Sequence, residues 1–115
     1  MRIEPPVLTR FSFHSDSTVT SVDPLRYLMN AITRVPQQNG GKVLGPRQRI
    51  SIDDALQAMT LDAAYQMFME DRVGSLEVGK YADLIVLDRN PRRVNPSELE
   101  SLKIQRVYLG GIRQD

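Results

Sequence analysis

The tightest constraint on this chain is its length. At 115 residues it fits one compact domain, which buries roughly two-thirds of the surface its unfolded form exposes, and it is too short for two ordinary domains. The residue inventory narrows the chemistry further. There is no cysteine, so disulfides, thiolate zinc sites, iron–sulfur clusters and cysteine nucleophiles are all excluded. One histidine cannot make a histidine-rich catalytic zinc site within the chain. The formal charge of +1 provides no global field to steer the molecule to nucleic acid or acidic lipid. The 12 arginines among the 15 basic residues are scattered, with tight groups only at Arg47/Arg49 and Arg89/Arg92/Arg93. Neither group is interleaved with aromatics, so both read as solvated surface and no nucleic-acid partner is expected. No apolar run approaches the roughly 18 residues of a membrane span, and no signal-peptide pattern opens the sequence, so the expectation is a cytoplasmic protein with no membrane partner.

Local signals give an α+β order. Residues 1–6 contain two adjacent prolines and read as an entry arm. Residues 7–13 mix β-branched and aromatic side chains in rough alternation, which suits a short strand. A polar loop follows. Asp23 then caps a helix with Pro24 at its first position, where the missing N–H costs nothing. Leu25, Leu28, Met29 and Ile32 form its apolar stripe, and Pro36 stops it near Arg34. Residues 36–49 hold three glycines and two prolines without periodicity and read as a long loop. Ser51 and Asp54 make a capping-box-like pair at the start of a second helix, whose buried stripe is Ile52, Ala55, Leu56 and Met59. Thr60 reads as a fresh cap, which predicts a third helix over 61–69, or a kinked continuation of the second, with Leu61, Ala64, Met67 and Phe68 inward. Residues 82–88 predict a largely buried strand with an acid on each side. A helical turn follows Ser97, a strand covers 104–109, and Gly110–Gly111 makes a hairpin turn or bulge.

Two motifs look like chemistry. Gly74 to Lys80 matches most of a phosphate-binding loop, but such a loop follows a strand and opens a helix, whereas this one follows a helix and opens a strand. Tyr81 also stands where a Ser or Thr hydroxyl would hold magnesium, so the two glycines read as shaping a turn. His14-Ser15-Asp16 contains the residue types of a hydrolase triad without the geometry, because neighbours on an extended chain face opposite ways. His14 and Asp16, two apart, can share a face and act as a proton-transfer or metal pair. Read alone, they fit loop hydrogen bonding better, and they fall short of the three protein ligands of a catalytic metal.

Taken together, three segments resemble one family. VGSLEVGKYADLIVLDRNP (73–91) is similar to the C-terminal signature of the amidohydrolase superfamily, where the chain leaves a catalytic barrel and re-enters a small β-sandwich. FSFHSDSTVTSVDPLRYLMNAITR (11–34) resembles the eighth barrel strand and following helix of amidohydrolase family 3, the branch of D-aminoacylase-like and exoenzyme-regulator-like metal-dependent hydrolases. ISIDDALQAMTLDAAYQMF (50–68) resembles that branch's post-barrel helices. The resemblance implies that Asp16 is a catalytic aspartate beside a divalent metal, zinc above all, where it takes a proton from bound water and passes it to the leaving amine. It places His14 near the substrate.

A complete (β/α)₈ barrel takes about 200 residues at the least, so this chain cannot contain one. The family's His-x-His pair, bridging lysine and later histidines have no counterpart here. The expectation is therefore a C-terminal fragment of a hydrolase acting on a small-molecule, amide-type C–N bond, with the isolated chain inactive. Asp16 would contact metal only with ligands absent from this chain, and no metal is expected on the chain alone. Residues 1–49 are expected to be the end of the barrel, and 50–115 the post-barrel helices and sandwich strands, together forming one unit with helices packed on a small β-sheet. The alternative is a non-catalytic α+β interaction module derived from the family. Unpaired strand edges predict a homo-oligomer in either case.

Overall fold

The computed structural model describes residues 10–38 and 40–115. Its elements are α1 (Pro24–Thr33), α2 (Ile52–Met59), α3 (Leu61–Gln66), β1 (Leu84–Leu87), β2 (Ile104–Leu109) and β3 (Ile112–Gln114), with 3₁₀ turns at Pro46–Gln48 and Pro96–Ser101. The α+β class expected from the sequence is what forms, but among the described residues the first element is a helix rather than the expected strand. The proline-containing arm at 1–6 and residues 7–9 of the expected first strand lie outside the described residues. The remainder of that strand, 10–13, is irregular. A lone extended segment has no ladder to accept its backbone groups, and none of the described strands pairs with it.

The helix starts follow the capping chemistry. The Asp23 carboxylate accepts from the Arg26 N–H, and Ser51 Oγ accepts from the Asp54 N–H at 3.1 Å. The helix α1 ends at Thr33 because Arg34 turns into left-handed backbone at φ 58°. The helix α3 stops three residues before its expected end. Phe68 adopts φ 57°, its N–H bonds to the Tyr65 carbonyl and the Met69 N–H bonds to the Ala64 carbonyl, which together close a Schellman cap. Met67 and Phe68 are consequently exposed rather than inward, Phe68 at 93%. A β-carbon in this conformation costs about 1–2 kcal/mol. Phe68→Gly is therefore expected to stabilise the chain by about 1 kcal/mol, read as a raised urea midpoint with an unchanged slope.

Leu28, Ala55, Leu99 and Leu102 form the buried centre, flanked by Leu25, Met29, Ile32, Ile52, Leu56 and Met59 from the two predicted stripes. The main packing of α1 is on α2 and on the 3₁₀ turn Pro96–Ser101, so the core lies between helices and that turn. The sheet enters the core at Leu87 rather than lying flat beneath the helices.

The sheet is antiparallel in the order β1-β2-β3. Gly110 and Gly111, at φ 58° and 81°, supply the two left-handed positions of a two-residue hairpin pairing Leu109 with Ile112. The acids flanking β1 clamp it to β2. Asp83 accepts from the Gly110 N–H at 2.7 Å and Asp88 accepts from the Lys103 N–H at 2.9 Å. That backbone bond, with a smaller contribution from the Arg89 guanidinium, holds the Asp88 carboxyl below its ordinary range. The strand β1 is less buried than its apolar run predicts. Ile85 and Val86 are exposed, because no helix packs broadly on this sheet among the described residues.

Candidate functional site

The loop after residue 13 carries the site predicted from the sequence. Asp16 takes left-handed backbone at φ 51°, which a short polar side chain tolerates, and its carbonyl accepts from the Val19 N–H at 2.8 Å to close a turn. This turn folds the loop back, so the Asp16 N–H donates to His14 Nδ1 at 3.1 Å. With Nδ1 accepting, the neutral ring carries its proton on Nε2 and presents a donor there. The Ser15 carbonyl is taken by the Thr20 hydroxyl at 2.7 Å. No hydrogen bond joins the Ser15 hydroxyl to His14 or Asp16 among the described residues, and the segment is a turn rather than the extended chain expected from the sequence.

His14 and Asp16 do share one cleft of about 350 Å³. Across it stand Tyr27 and Asn30 from α1, with Arg34 just beyond that helix. The Asp16 carboxylate makes no hydrogen bond or ion pair with the described residues, whereas Arg34 is committed to the Leu44 carbonyl at 3.0 Å and to Gln48 at 2.9 Å. Residues 27, 30 and 34 escaped the sequence reading. The available signal was a second stripe at i, i+3 and i+7, polar and aromatic, running beside the apolar stripe of Leu25, Leu28, Met29 and Ile32.

The donor set does not make up a metal centre. Among the described residues, no group of three or more His, Cys, Asp and Glu side chains is placed to hold a cation, and His14 Nδ1 is already engaged. The segment from Gly74 to Lys80 is a turn, as expected. Lys80 Nζ is tied to Glu77 at 2.9 Å and to Ser75 at 2.7 Å, so its charge is spent inside the turn. The Ser75 hydroxyl and Lys80 hold the Glu77 carboxyl below its ordinary range. Three members of the arginine groups are also engaged locally, Arg92 with Asp53, Arg89 with Asp88 and Ser101, and Arg49 with the Thr33 carbonyl. No helix among the described residues is long and apolar enough to cross a membrane.

The three segments that carry the resemblance, 11–34, 50–68 and 73–91, all fall within one family match. The chain belongs to the amidohydrolase family, whose model matches residues 9–113. It is 32% identical over 103 residues to the N-substituted formamide deformylase of Arthrobacter pascens, a match covering 90% of this chain and 19% of that protein. It is 34% identical over 97 residues to the protein LONG AFTER FAR-RED 3 of Arabidopsis thaliana, covering 84% of this chain and 16% of that one. A crystal structure of an amidohydrolase from Thermotoga maritima MSB8 aligns at 33% identity and a TM-score of 0.49, over 58% of this chain and 16% of that one. The chain thus spans less than a fifth of the length of these relatives.

Proposed function

We propose that this chain is the C-terminal portion of a metal-dependent amidohydrolase that cleaves an amide-type C–N bond of a small molecule, with Asp16 as its catalytic carboxylate and His14 as a substrate contact. The observation that carries the reading is the family match over residues 9–113 in a chain with a single histidine. The family's chemistry is generally metal-dependent, and the donors present here do not fit a complete site, so no step of the reaction is assigned to this chain acting alone. Its own contribution is an uncommitted carboxylate able to take up and release a proton, and an imidazole donor on the same cleft. On this reading, residues 1–49 correspond to the end of the barrel and 50–115 to the post-barrel helices and sandwich strands.

The sheet supports the same reading and also keeps the non-catalytic alternative in play. Ile85, Val107, Leu109 and Ile112 share one face by register, and all four are exposed. Such a face is covered in a larger protein, and left open it favours self-association between copies of the chain, as do the sheet edges.

One purified sample tests these points. By elemental analysis and an amidase assay, the isolated chain is expected to carry less than one zinc per chain and to show no turnover. By light scattering it is expected to be a dimer or larger. Stoichiometric, tightly held zinc together with amidase activity abolished in Asp16→Ala overturns the fragment reading, and a clean monomer at high concentration overturns the self-association.

A further inference from the structure

The cleft holding His14 and Asp16 does not stand alone. It adjoins a second cavity of about 380 Å³, and the two share Thr20, Tyr27 and Asn30. Each volume lies within the roughly 300–1,000 Å³ of ordinary small-molecule sites. The geometry points to Tyr27 and Asn30 as the residues that select the substrate, forming a wall over which an amide lies with its reacting carbonyl at Asp16 and its substituent in the second cavity. This assignment rests on the reading of Asp16 above and adds to it the class of substrate: a neutral amide bearing an aromatic or similarly flat apolar substituent.

The chemistry of the second cavity carries that choice. Its apolar lining comes from Val19, the Tyr27 ring and Pro36. Its one guanidinium, Arg26, is already neutralised, bonding to Glu100 at 3.2 Å and to Gln37 at 2.8 Å and lying 3.9 Å from Asp23. An anionic substituent would therefore meet no free positive charge among the described lining residues, and burying it would cost more than burying a neutral ring. Thr20 spends its hydroxyl proton on the Ser15 carbonyl, which fixes the loop against the wall. The Asn30 carboxamide makes no hydrogen bond with the described residues. It sits one helical turn from Tyr27 and can both donate to and accept from an amide lying between them. The Tyr27 hydroxyl reaches the Ser21 carbonyl at 3.5 Å, a weak contact that leaves the ring face as its main offering.

The probe is benzamide, with benzoate as its anionic counterpart, titrated into the full 115-residue chain labelled with ¹⁵N and followed by NMR. Benzamide is expected to shift the amide signals of residues 14–16 together with those of Tyr27 and Asn30, the Asn30 side-chain signal included, with benzoate binding more weakly. Tyr27→Ala is expected to raise the benzamide Kd about tenfold, the scale of one lost aromatic packing contact, whereas Tyr27→Phe keeps the ring and leaves the Kd within about twofold. Asn30→Leu is expected to weaken benzamide while narrowing its advantage over benzoate.

Shifts at 14–16 without shifts at 27 and 30, equal losses in Tyr27→Ala and Tyr27→Phe, or benzoate binding as tightly as benzamide would each overturn this assignment while leaving Asp16 as the site of the amide. Shifts at 27 and 30 without any at 14–16 would instead overturn the reading of Asp16 on which the assignment rests. Absence of shifts at both places would overturn the two together.

Discussion

Gly74→Ala lowers the stability of the chain by about 3 kcal/mol, a large part of the 5–15 kcal/mol that holds a domain of this size folded. Two costs combine at this position. The backbone sits at φ 94°, which an L side chain rarely adopts. A β-carbon there would also lie 2.7 Å from the Ala64 Cβ, 3.1 Å from the Leu61 Cα and 3.1 Å from the Thr60 carbonyl oxygen. The last two are backbone atoms at the junction of α2 and α3, and Ala64 has no rotamer by which to withdraw. Relief therefore requires the helices to move against a buried centre, and overpacking of that kind costs about 1–3 kcal/mol beyond the conformational penalty. Gly79 separates the two costs, because it has nearly the same φ, 96°, and open space where a β-carbon would sit. Gly79→Ala is expected to cost only about 1 kcal/mol. Paired urea titrations read the difference, and equal midpoint shifts for the two variants would mean that the α3 contact contributes nothing.

The same pair of glycines shows how far the sequence could be read. That both shape a turn follows from a helix on one side and a strand on the other. That one touches Ala64 and the other touches nothing depends on how the turn packs, which no local pattern encodes. Helices α1 and α2 were legible because each carries its own start signal, Asp23 with Pro24 and Ser51 with Asp54, and an apolar stripe in step with the helix. The β2–β3 hairpin was legible for the same reason, since two adjacent glycines at a strand end specify the turn locally. The failures share a different origin. Among the described residues, 10–13 have strand composition but no ladder partner, and Ile85 and Val86 have core composition but no covering layer. In both cases the residues are written for neighbours, and composition cannot report whether the neighbours are there. The cap that ends α3 at Gln66 was missed because it places a phenylalanine, Phe68, where glycine usually signals the stop.

The cleft divides along the same line. His14 and Asp16 were found because they sit two apart in one motif. Tyr27 and Asn30 come to the cleft from α1, and what brings them there is the turn closed by the Val19 N–H on the Asp16 carbonyl. A reading of α1 that stops at its apolar stripe passes over the polar stripe beside it. The family resemblance, carried by 11–34, 50–68 and 73–91, does not single out these two residues either.

Asp16→Asn in a working amidohydrolase is expected to reduce kcat by about 10²- to 10⁴-fold, the usual worth of a positioned acid–base group. The enzyme for this measurement is the Arthrobacter pascens deformylase with its matched segment replaced by residues 9–113 of this chain, after confirming that the hybrid turns over its own substrate. Asparagine is the informative replacement on structural grounds. Position 16 holds φ 51°, and Asn, like Asp, tolerates left-handed backbone, so the turn that ends at Val19 survives. The bond from the residue 16 N–H to His14 Nδ1 is a backbone bond and survives as well. The carboxylate itself makes no hydrogen bond or ion pair with the described residues, so the fold loses nothing that the side chain was holding. What disappears is the ability to accept a proton. A fall in kcat with an unchanged melting temperature therefore reports chemistry, whereas Asp83→Asn, which loosens the clamp on Gly110, is expected to lower the melting temperature without a comparable loss of kcat. His14→Gln separates the remaining role, since a substrate contact made equally in ground and transition states raises KM and leaves kcat nearly unchanged. A hybrid whose kcat is indifferent to Asp16→Asn would remove this residue from the reaction and leave the cleft as a binding surface.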